Sequence, residues 1–375
     1  MDALKYAQDL VAFESTSNLS NVPVSDYVEQ ALKKLAFTTE RLEYDDANGV
    51  RKCSIVGKKG EGQGGLAYFG HTDVVPADNW FSDEFGPFTP TVRDGRLYGR
   101  GSCDMKGSIA TMLAAAARFS TSELKHPIYI TCTADEEVGY HGAKDVASRS
   151  ALFREMVDGH SRGIIGEPTR LDVVHAHKGT YGFKAISRGR AAHSSTREGL
   201  NANLAMIPFL VEMKAIYDET ESDPQWQNNA FDPPTLSWNI GINDHTKAIN
   251  ITAPQSVCTV YFRAMPNVDV NALMNRVRIK AEELGLEFHS EVETPPLWVD
   301  PNSEFIRDVL QLSGRESSST VAYGTDNSSF LAMKNLVVFG PGDIAQAHTH
   351  DEWISLEQLE LGTDMYARAI RRWCC

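Results

Sequence analysis

Residues 66–76 read LAYFGHTDVVP. Leu66 to Phe69 form a short apolar run of strand type, Gly70 and His71 end it, and Pro76 prevents its continuation. His71 therefore stands at the carboxyl end of a strand, where the ligand-binding crevices of open α/β sheets form. Asp73, two residues on, can accept the imidazole's other N–H, which fixes its tautomer and raises its basicity toward a metal.

The same arrangement recurs along the chain. Asp104 lies in GRGSCDMKG at 99–107, Glu136 and Glu137 in TADEEVG at 133–139, Glu167 in IGEPT at 165–169, and His348 in AQAHTHDEW at 345–353. Each sets a carboxylate or imidazole beside glycine, proline or apolar residues, as where a strand ends and a loop begins. Asp104 alone reads as a helix N-cap. The glycines before it let the backbone approach a site closely, however, and its two oxygens can bridge two cations. Glu136 and Glu137 leave an extended segment pointing opposite ways, so one can bind a metal while the other acts as general base on a metal-bound water. The charge of Glu167, after a buried apolar run, must be paired or coordinated. Of His348 and His350 only one need be a ligand. Imidazoles and carboxylates without paired thiolates suit Zn²⁺ or a similar divalent ion in an oxygen-rich catalytic site. The pattern is that of a metallohydrolase.

Composition bounds the alternatives. A chain of 375 residues with 42% hydrophobic content can bury a sizeable core in one or two domains. A formal charge of −14 argues against a sequence-independent grip on nucleic acid. The opening MDALKYAQDLVAFEST reads as an amphipathic helix rather than a signal peptide. No apolar stretch reaches the roughly 18 residues that a membrane span needs. A cytoplasmic protein without a membrane or nucleic-acid partner is expected. Its six scattered cysteines are expected as reduced thiols, with Cys374 and Cys375 an exposed pair at a frayed end.

Helical spacing over residues 3–14 and 24–37 gives way to the strand-like CSIVG, LAYFGHTDVV and PIYITCTADEE. An Ala-rich helix follows at 106–119, then the buried strand GIIGEP. This alternation predicts an α/β sheet with helices on both faces, formed by residues 1–179 and 291–375. Residues 180–290 read as an inserted small α+β unit, with helices at 201–216 and 269–284 and strands near 235–242 and 255–263. GKKGEGQGG at 57–65 reads as a hairpin loop, residues 218–234 as a long loop, and Lys178 as a surface lysine. His193, Asn250 and Arg263 lie in the insertion, so any role in the site requires that unit to fold over it or to pair with another subunit.

The ordered motifs GHTDVVP, YGRGSCDMKG, TADEEVG, GEPT and AHTHDEW together resemble the M20 family of metallopeptidases and deacylases over nearly the whole length. Within it the likeness is greatest to the acetylornithine deacetylases, on IIGEPT, AHKG, AHSSTREGLNA and GPGDIAQAHTHDEW. The resemblance implies a mixed-sheet zinc-peptidase domain and an inserted ferredoxin-like lid and dimerisation domain. It implies two Zn²⁺ per chain, replaceable by Co²⁺ or Mn²⁺, with His71 and Glu167 on one ion, Glu137 and His348 on the other, and Asp104 bridging. Asp73 would orient His71, and Glu136 would be the base. His193 would steady the tetrahedral oxyanion across a homodimer. Asn250, Arg263 and Gly324, which opens GTDNSS, would bind substrate. The implied reaction is hydrolysis of a small N-acyl amino acid of the acetylornithine type, with desuccinylase, aminoacylase and dipeptidase or carboxypeptidase activities as family alternatives.

Overall fold

The computed structural model describes residues 2–375, which form two compact units. The first takes the chain up to Ala176 together with Val299–Ser319 and Thr325–Cys375; the second takes His177–Trp298 and Thr320–Gly324.

The first unit is built on a mixed sheet. Its strands follow the order Thr38–Asp45, Arg51–Lys59, Ile128–Thr133, Leu66–His71, Arg162–Ile165, Leu336–Val338 and Val174–His177. Leu66–His71 pairs in parallel with both neighbours, placing His71 opposite Thr133 and Phe69 opposite Ile165. Leu336–Val338 continues the same direction beside Arg162–Ile165. Four adjacent strands thus end at one edge, while Thr38–Asp45, Arg51–Lys59 and Val174–His177 join antiparallel.

Adjacent side chains on the central strand show what covers each face. Tyr68 meets Ser108 of helix Lys106–Ala116 and Tyr366 of helix Leu356–Cys374. Phe69 meets Phe153 of helix Ala151–Asp158, and Phe330 at a ring separation of 4.3 Å. Successive strand residues point to opposite faces, so helices lie on both, and Leu66–His71 and Ile128–Thr133 are buried throughout. Helix Lys106–Ala116, with alanines along it, is buried at every position and packs against helices Ala3–Val11 and Leu356–Cys374. Burying Ile109, Met112 and Leu113 contributes about 1.5–3 kcal/mol each. Its N-cap is Met105 without a side-chain cap bond, so Asp104 does not cap this helix.

Several local expectations change. Residues 57–65 do not form a hairpin, because Ile128–Thr133 inserts between Arg51–Lys59 and Leu66–His71 and pairs with both. The acidic stretch after 218 is helical as far as Ser222, and its end is fixed by Trp226 Nε1 donating to Glu219 at 2.8 Å. Lys178 is fully buried, with Nζ donating to the carbonyls of Pro233 and Thr235 at 2.7 and 2.6 Å. Cys374 is buried too, and its carbonyl accepts from the amides of Lys125 and His126. The chain end is therefore docked rather than frayed. All six cysteines are free thiols.

The second unit has the order β-α-β-β-α-β of a ferredoxin-like fold. Its antiparallel sheet runs Asn239–Asn243, Gln255–Phe262, Thr180–Arg188, Glu287–Thr294, with helices Ala202–Ser222 and Val270–Glu283 packed on it. Phe183, Trp238 and Phe262 form its aromatic core.

Behind the central strand, Ser108 Oγ lies 2.8 Å from Tyr68 Oη and 3.0 Å from Tyr366 Oη, and Tyr366 donates to the Phe339 carbonyl. Gly166 leaves room for this buried chain of hydroxyls: a Cβ there would sit 2.3 Å from Tyr68 Oη and 2.4 Å from Ser108 Oγ. Gly166→Ala is expected to destabilise the protein by about 1–3 kcal/mol through overpacking, read as a lower midpoint in urea unfolding.

Candidate metal centre

The parallel register collects the charged residues. His71 closes one strand, Glu136 and Glu137 follow the end of Ile128–Thr133, and Glu167 follows Arg162–Ile165. His71 Nδ1 faces the Asp73 carbonyl oxygen at 2.9 Å, and a carbonyl can only accept. Nδ1 therefore carries a hydrogen, and Nε2, the nitrogen left for a metal, faces Asp104 Oδ1 at 3.1 Å and Glu167 Oε1 at 3.7 Å, donating to Asp104 when the ring is protonated. The Asp73 carbonyl thus sets the tautomer, and the carboxylate expected from the sequence to do so stands further off, with Oδ1 3.7 Å from Nδ1. That carboxylate is turned toward the next strand end, accepting from the amides of Glu136 and Glu137 at 3.1 and 3.3 Å and from Ser17 Oγ at 2.7 Å. Glu136 and Glu137 sit on a turn rather than an extended segment, entered through Asp135 at φ +57°.

Asp104 is held by Glu352, whose fully buried carboxylate accepts from the amides of Gly101, Cys103 and Asp104, each at 2.9 Å, and from Arg100 at 2.7 Å. Arg100 also donates to the Thr349 carbonyl, tying this loop to the segment that carries His348. His348 Nε2 lies 3.1 Å from Glu137 and 3.4 Å from Asp104 Oδ2. The His350 ring pairs with Asp351, at 3.9 Å, and stands outside the cluster.

Donor atoms of His71, Asp104 and Glu167 lie within 4.8 Å of one another, as do those of Asp104, Glu137 and His348, and those of His71, Glu136 and Glu137. Among the described residues no lysine or arginine pairs with these carboxylates. Burial pushes Glu136 and Glu167 well above the usual carboxylate range, reinforced by neighbouring acids. Burial raises Glu137 as well, against the pull of His348. Burial would depress His71, but Asp104, Glu136 and Glu167 overcome it and hold its pKa well above the ordinary value. Burial likewise opposes ionisation of Asp104, yet the hydrogen bonds from His348 and His71 keep its pKa below the usual range. Buried acids with two imidazoles and no other counter-charge fit one or two divalent cations: the donor set is oxygen-rich, and Asp104 is common to two triplets.

Sequence reasoning missed Glu352 and Asp326. Asp326 is buried, accepts from Thr133 Oγ1 at 3.2 Å, and is pushed by burial to a pKa of about 6. Glu352 carries no local signal, since only the fold brings three amides and Arg100 to it; Asp326 could have been noticed as an acid inside GTDNSS. The remaining expected site residues lie in the second unit. There His193 and Asn250 are exposed neighbours, the Ser194 amide donating to the Asn250 carbonyl at 3.0 Å, and His193 Nδ1 is 2.7 Å from Ser195 Oγ. Arg263 donates to Thr180 Oγ1 at 2.7 Å and lies over the Tyr261 ring. Gly324 is half-buried.

Residues 67–372 match the profile described as Peptidase family M20/M25/M40. Acetylornithine deacetylase of Myxococcus xanthus is 33% identical over 98% of this chain and 96% of its own. The enzyme of that name from Proteus mirabilis (strain HI4320) is 31% identical over 97% and 93%. Among solved structures, an M20 family metallo-carboxypeptidase from Sulfolobus solfataricus superposes with a TM-score of 0.78 at 16% identity, covering 100% of this chain and 99% of that one. A dinuclear metal-binding M20 peptidase from Bacillus subtilis gives 0.67 at 13% identity over 99% and 97%. At such identities the structural likeness is one of fold. Fold and cluster define a metal-dependent amide hydrolase of the α/β class. The chain belongs to peptidase family M20/M25/M40.

The proton inventory gives a direct test. In the metal-free protein the pKa of His348 rises to about 10, chiefly through Asp104 and Glu137, from an ordinary 6.5. The stability it contributes is therefore complete below pH 6.5 and lost as pH rises through about 10. The raised carboxyls of Glu136 and Glu167 act in the same sense above their ordinary 4.5. Metal-free protein should melt at falling temperature as pH increases above neutrality. Metal binding at pH 7 should release about one proton or more, measured by calorimetry in buffers of different ionisation enthalpy.

Proposed function

We propose that this chain hydrolyses the amide bond of an N-acyl amino acid, foremost an N-acetylated ornithine-like substrate, releasing a carboxylate and a free amino acid. The observation that carries the reading is Asp104, whose two oxygens face His71 Nε2 at 3.1 Å and His348 Nε2 at 3.4 Å. One acid is thereby shared between two donor triplets. We infer two divalent ions, Zn²⁺ with Co²⁺ or Mn²⁺ as substitutes, with His71 and Glu167 holding one, Glu137 and His348 the other, and Asp104 between. When bound, such a pair acidifies a water and polarises a carbonyl. Glu136, whose proton affinity burial raises, takes the proton from that water on its carboxylate and later delivers it to the leaving nitrogen. Asp73 orients His71 through its carbonyl and the Glu136–Glu137 turn through its carboxylate. Two relatives named acetylornithine deacetylase support the acyl-amino-acid substrate. Desuccinylation, aminoacylase action and dipeptide or carboxypeptidase cleavage use the same chemistry, and a substrate panel separates them.

Residues 180–290 are proposed as a lid and dimerisation domain, completing a catalytic domain of 1–179 and 291–375. His193 is proposed as oxyanion donor, and Asn250, Arg263 and Gly324 as substrate contacts, Arg263 offering a planar fork suited to a carboxylate. Support for the dimer comes from the outer side of helix Ala202–Ser222, where Leu204, Ile207 and Val211 are 67, 54 and 65% exposed. Strand Asn239–Asn243, last in its sheet, adds Ile242 at 64%. An exposed apolar stripe and an edge strand each fit self-association. Among the described residues no helix is long and apolar enough to cross a membrane, and we place the protein in the cytoplasm with no membrane or nucleic-acid partner.

Two outcomes are expected. Glu136→Ala should retain its metal content, read by elemental analysis, and lower kcat on N-acetylornithine by about 10²- to 10⁴-fold; near wild-type turnover removes Glu136 from the chemistry. Light scattering coupled to gel filtration should give a dimer, and Leu204→Glu with Val211→Glu a monomer.

A further inference from the structure

Lys52 is almost fully buried, and the charge on its ammonium is committed. Nζ donates to the carbonyls of Ser17 and Leu19 at 2.5 and 2.9 Å and lies 2.9 Å from Asp135 Oδ1. Asp46 approaches no nearer than 3.8 Å. Tyr44, the cross-strand partner of Lys52, donates to the other Asp135 oxygen at 2.7 Å. Asp135 is the left-handed residue that opens the turn bearing Glu136 and Glu137, a conformation that costs an L side chain energy and persists where its surroundings impose it. On the second arm, Ser17 Oγ donates to Asp73, whose carboxylate grips the amides of that same turn. One ammonium thus holds both supports of the turn.

We propose that Lys52, assisted by Tyr44, is a positioning residue for the hydrolysis: it fixes the turn so that Glu136 meets the water and Glu137 the metal. The inference rests on the roles proposed above for those two glutamates. Lys52 touches no reacting atom. Its effect should fall more heavily on the donor set containing Glu137 and His348 than on that of His71 and Glu167, whose side chains hang from other strand ends and are reached by Lys52 through Asp73 alone.

The test is titration of the metal-free protein with Co²⁺, followed by visible absorption and calorimetry, alongside kcat and KM for an N-acetylated amino acid. Wild-type protein should bind two Co²⁺. Lys52→Met should weaken one of the two bindings by about 10- to 100-fold, weaken the other less, and reduce kcat over the same range with KM little changed. Tyr44→Phe should act in the same direction more weakly, and it decides the matter if Lys52→Met does not accumulate folded. A purely structural lysine would lower the melting temperature while the folded fraction kept both affinities, the Co²⁺ spectrum and kcat. That result in Lys52→Met, or in Tyr44→Phe where the former cannot be purified, overturns the proposal. Wild-type protein that binds fewer than two Co²⁺ overturns instead the two-ion reading beneath it.

Discussion

Repulsion among buried carboxylates at the ends of parallel strands is the constraint around which the first unit is organised. Two like charges about 4 Å apart repel by about 4 kcal/mol at the effective dielectric of a protein near its surface. Asp104, Glu136, Glu137 and Glu167 face that repulsion with only two imidazoles among them. Without metal the cluster answers by retaining protons, which is why its acids and both histidines titrate high apart from Asp104. With metal the same oxygens find a counter-charge, and the protons leave. Parallel pairing of Leu66–His71 with Ile128–Thr133 and Arg162–Ile165 makes the crowding unavoidable, because it brings the segments after all three strands to one edge.

A second set of buried charges carries the backbone beneath the first. Glu352 collects three amides and Arg100 under Asp104; Asp73 collects two amides and Ser17 under Glu136 and Glu137; Lys52 grips Asp135 and the Ser17 segment. These residues hold the main chain and one another and leave the donor side chains facing one another. The arrangement has a cost, since breaking one side of such a buried pair typically removes about 3–5 kcal/mol. It also explains how loops, ordinarily the mobile part of an α/β protein, can hold ligand atoms in register.

Strand ends were legible because local chemistry marks them: an apolar run closed by glycine or proline and a charge reads the same way at His71 and Glu167. The α/β alternation followed from periodicity, as did the two helices of the inserted unit and its strands near 235–242 and 255–263. What escaped the sequence depended on distant partners. Glu352 and Asp326 have no local signature of burial. Lys178 read as surface because lysine usually is, yet two carbonyls of a remote segment satisfy its ammonium. The glycine-rich stretch at 57–65 read as a hairpin because sequence neighbours often pair, whereas Ile128–Thr133 adds to both strands between them. Asp73 was given its own histidine to orient, when its main chain does this and its carboxylate serves the next strand.

The turn after Ile128–Thr133 also shows how two identical neighbours acquire different chemistry. Extended geometry would have separated them by pointing them to opposite sides, but the structure uses a turn, so the distinction rests on surroundings. Glu137 is engaged by His348 at 3.1 Å, which opposes the effect of burial and favours its charged form. No hydrogen bond to the Glu136 side chain occurs among the described residues, and burial together with Glu167 and Glu137 makes it the more reluctant to stay ionised. A carboxylate already fixed by an imidazole is suited to holding a cation. One that is half-buried, unengaged and hungry for a proton is suited to taking it from water and passing it on. Adjacent glutamates on one rigid turn thus divide ligand and base by environment alone, and so the supports of the turn bear on catalysis as directly as the glutamates themselves.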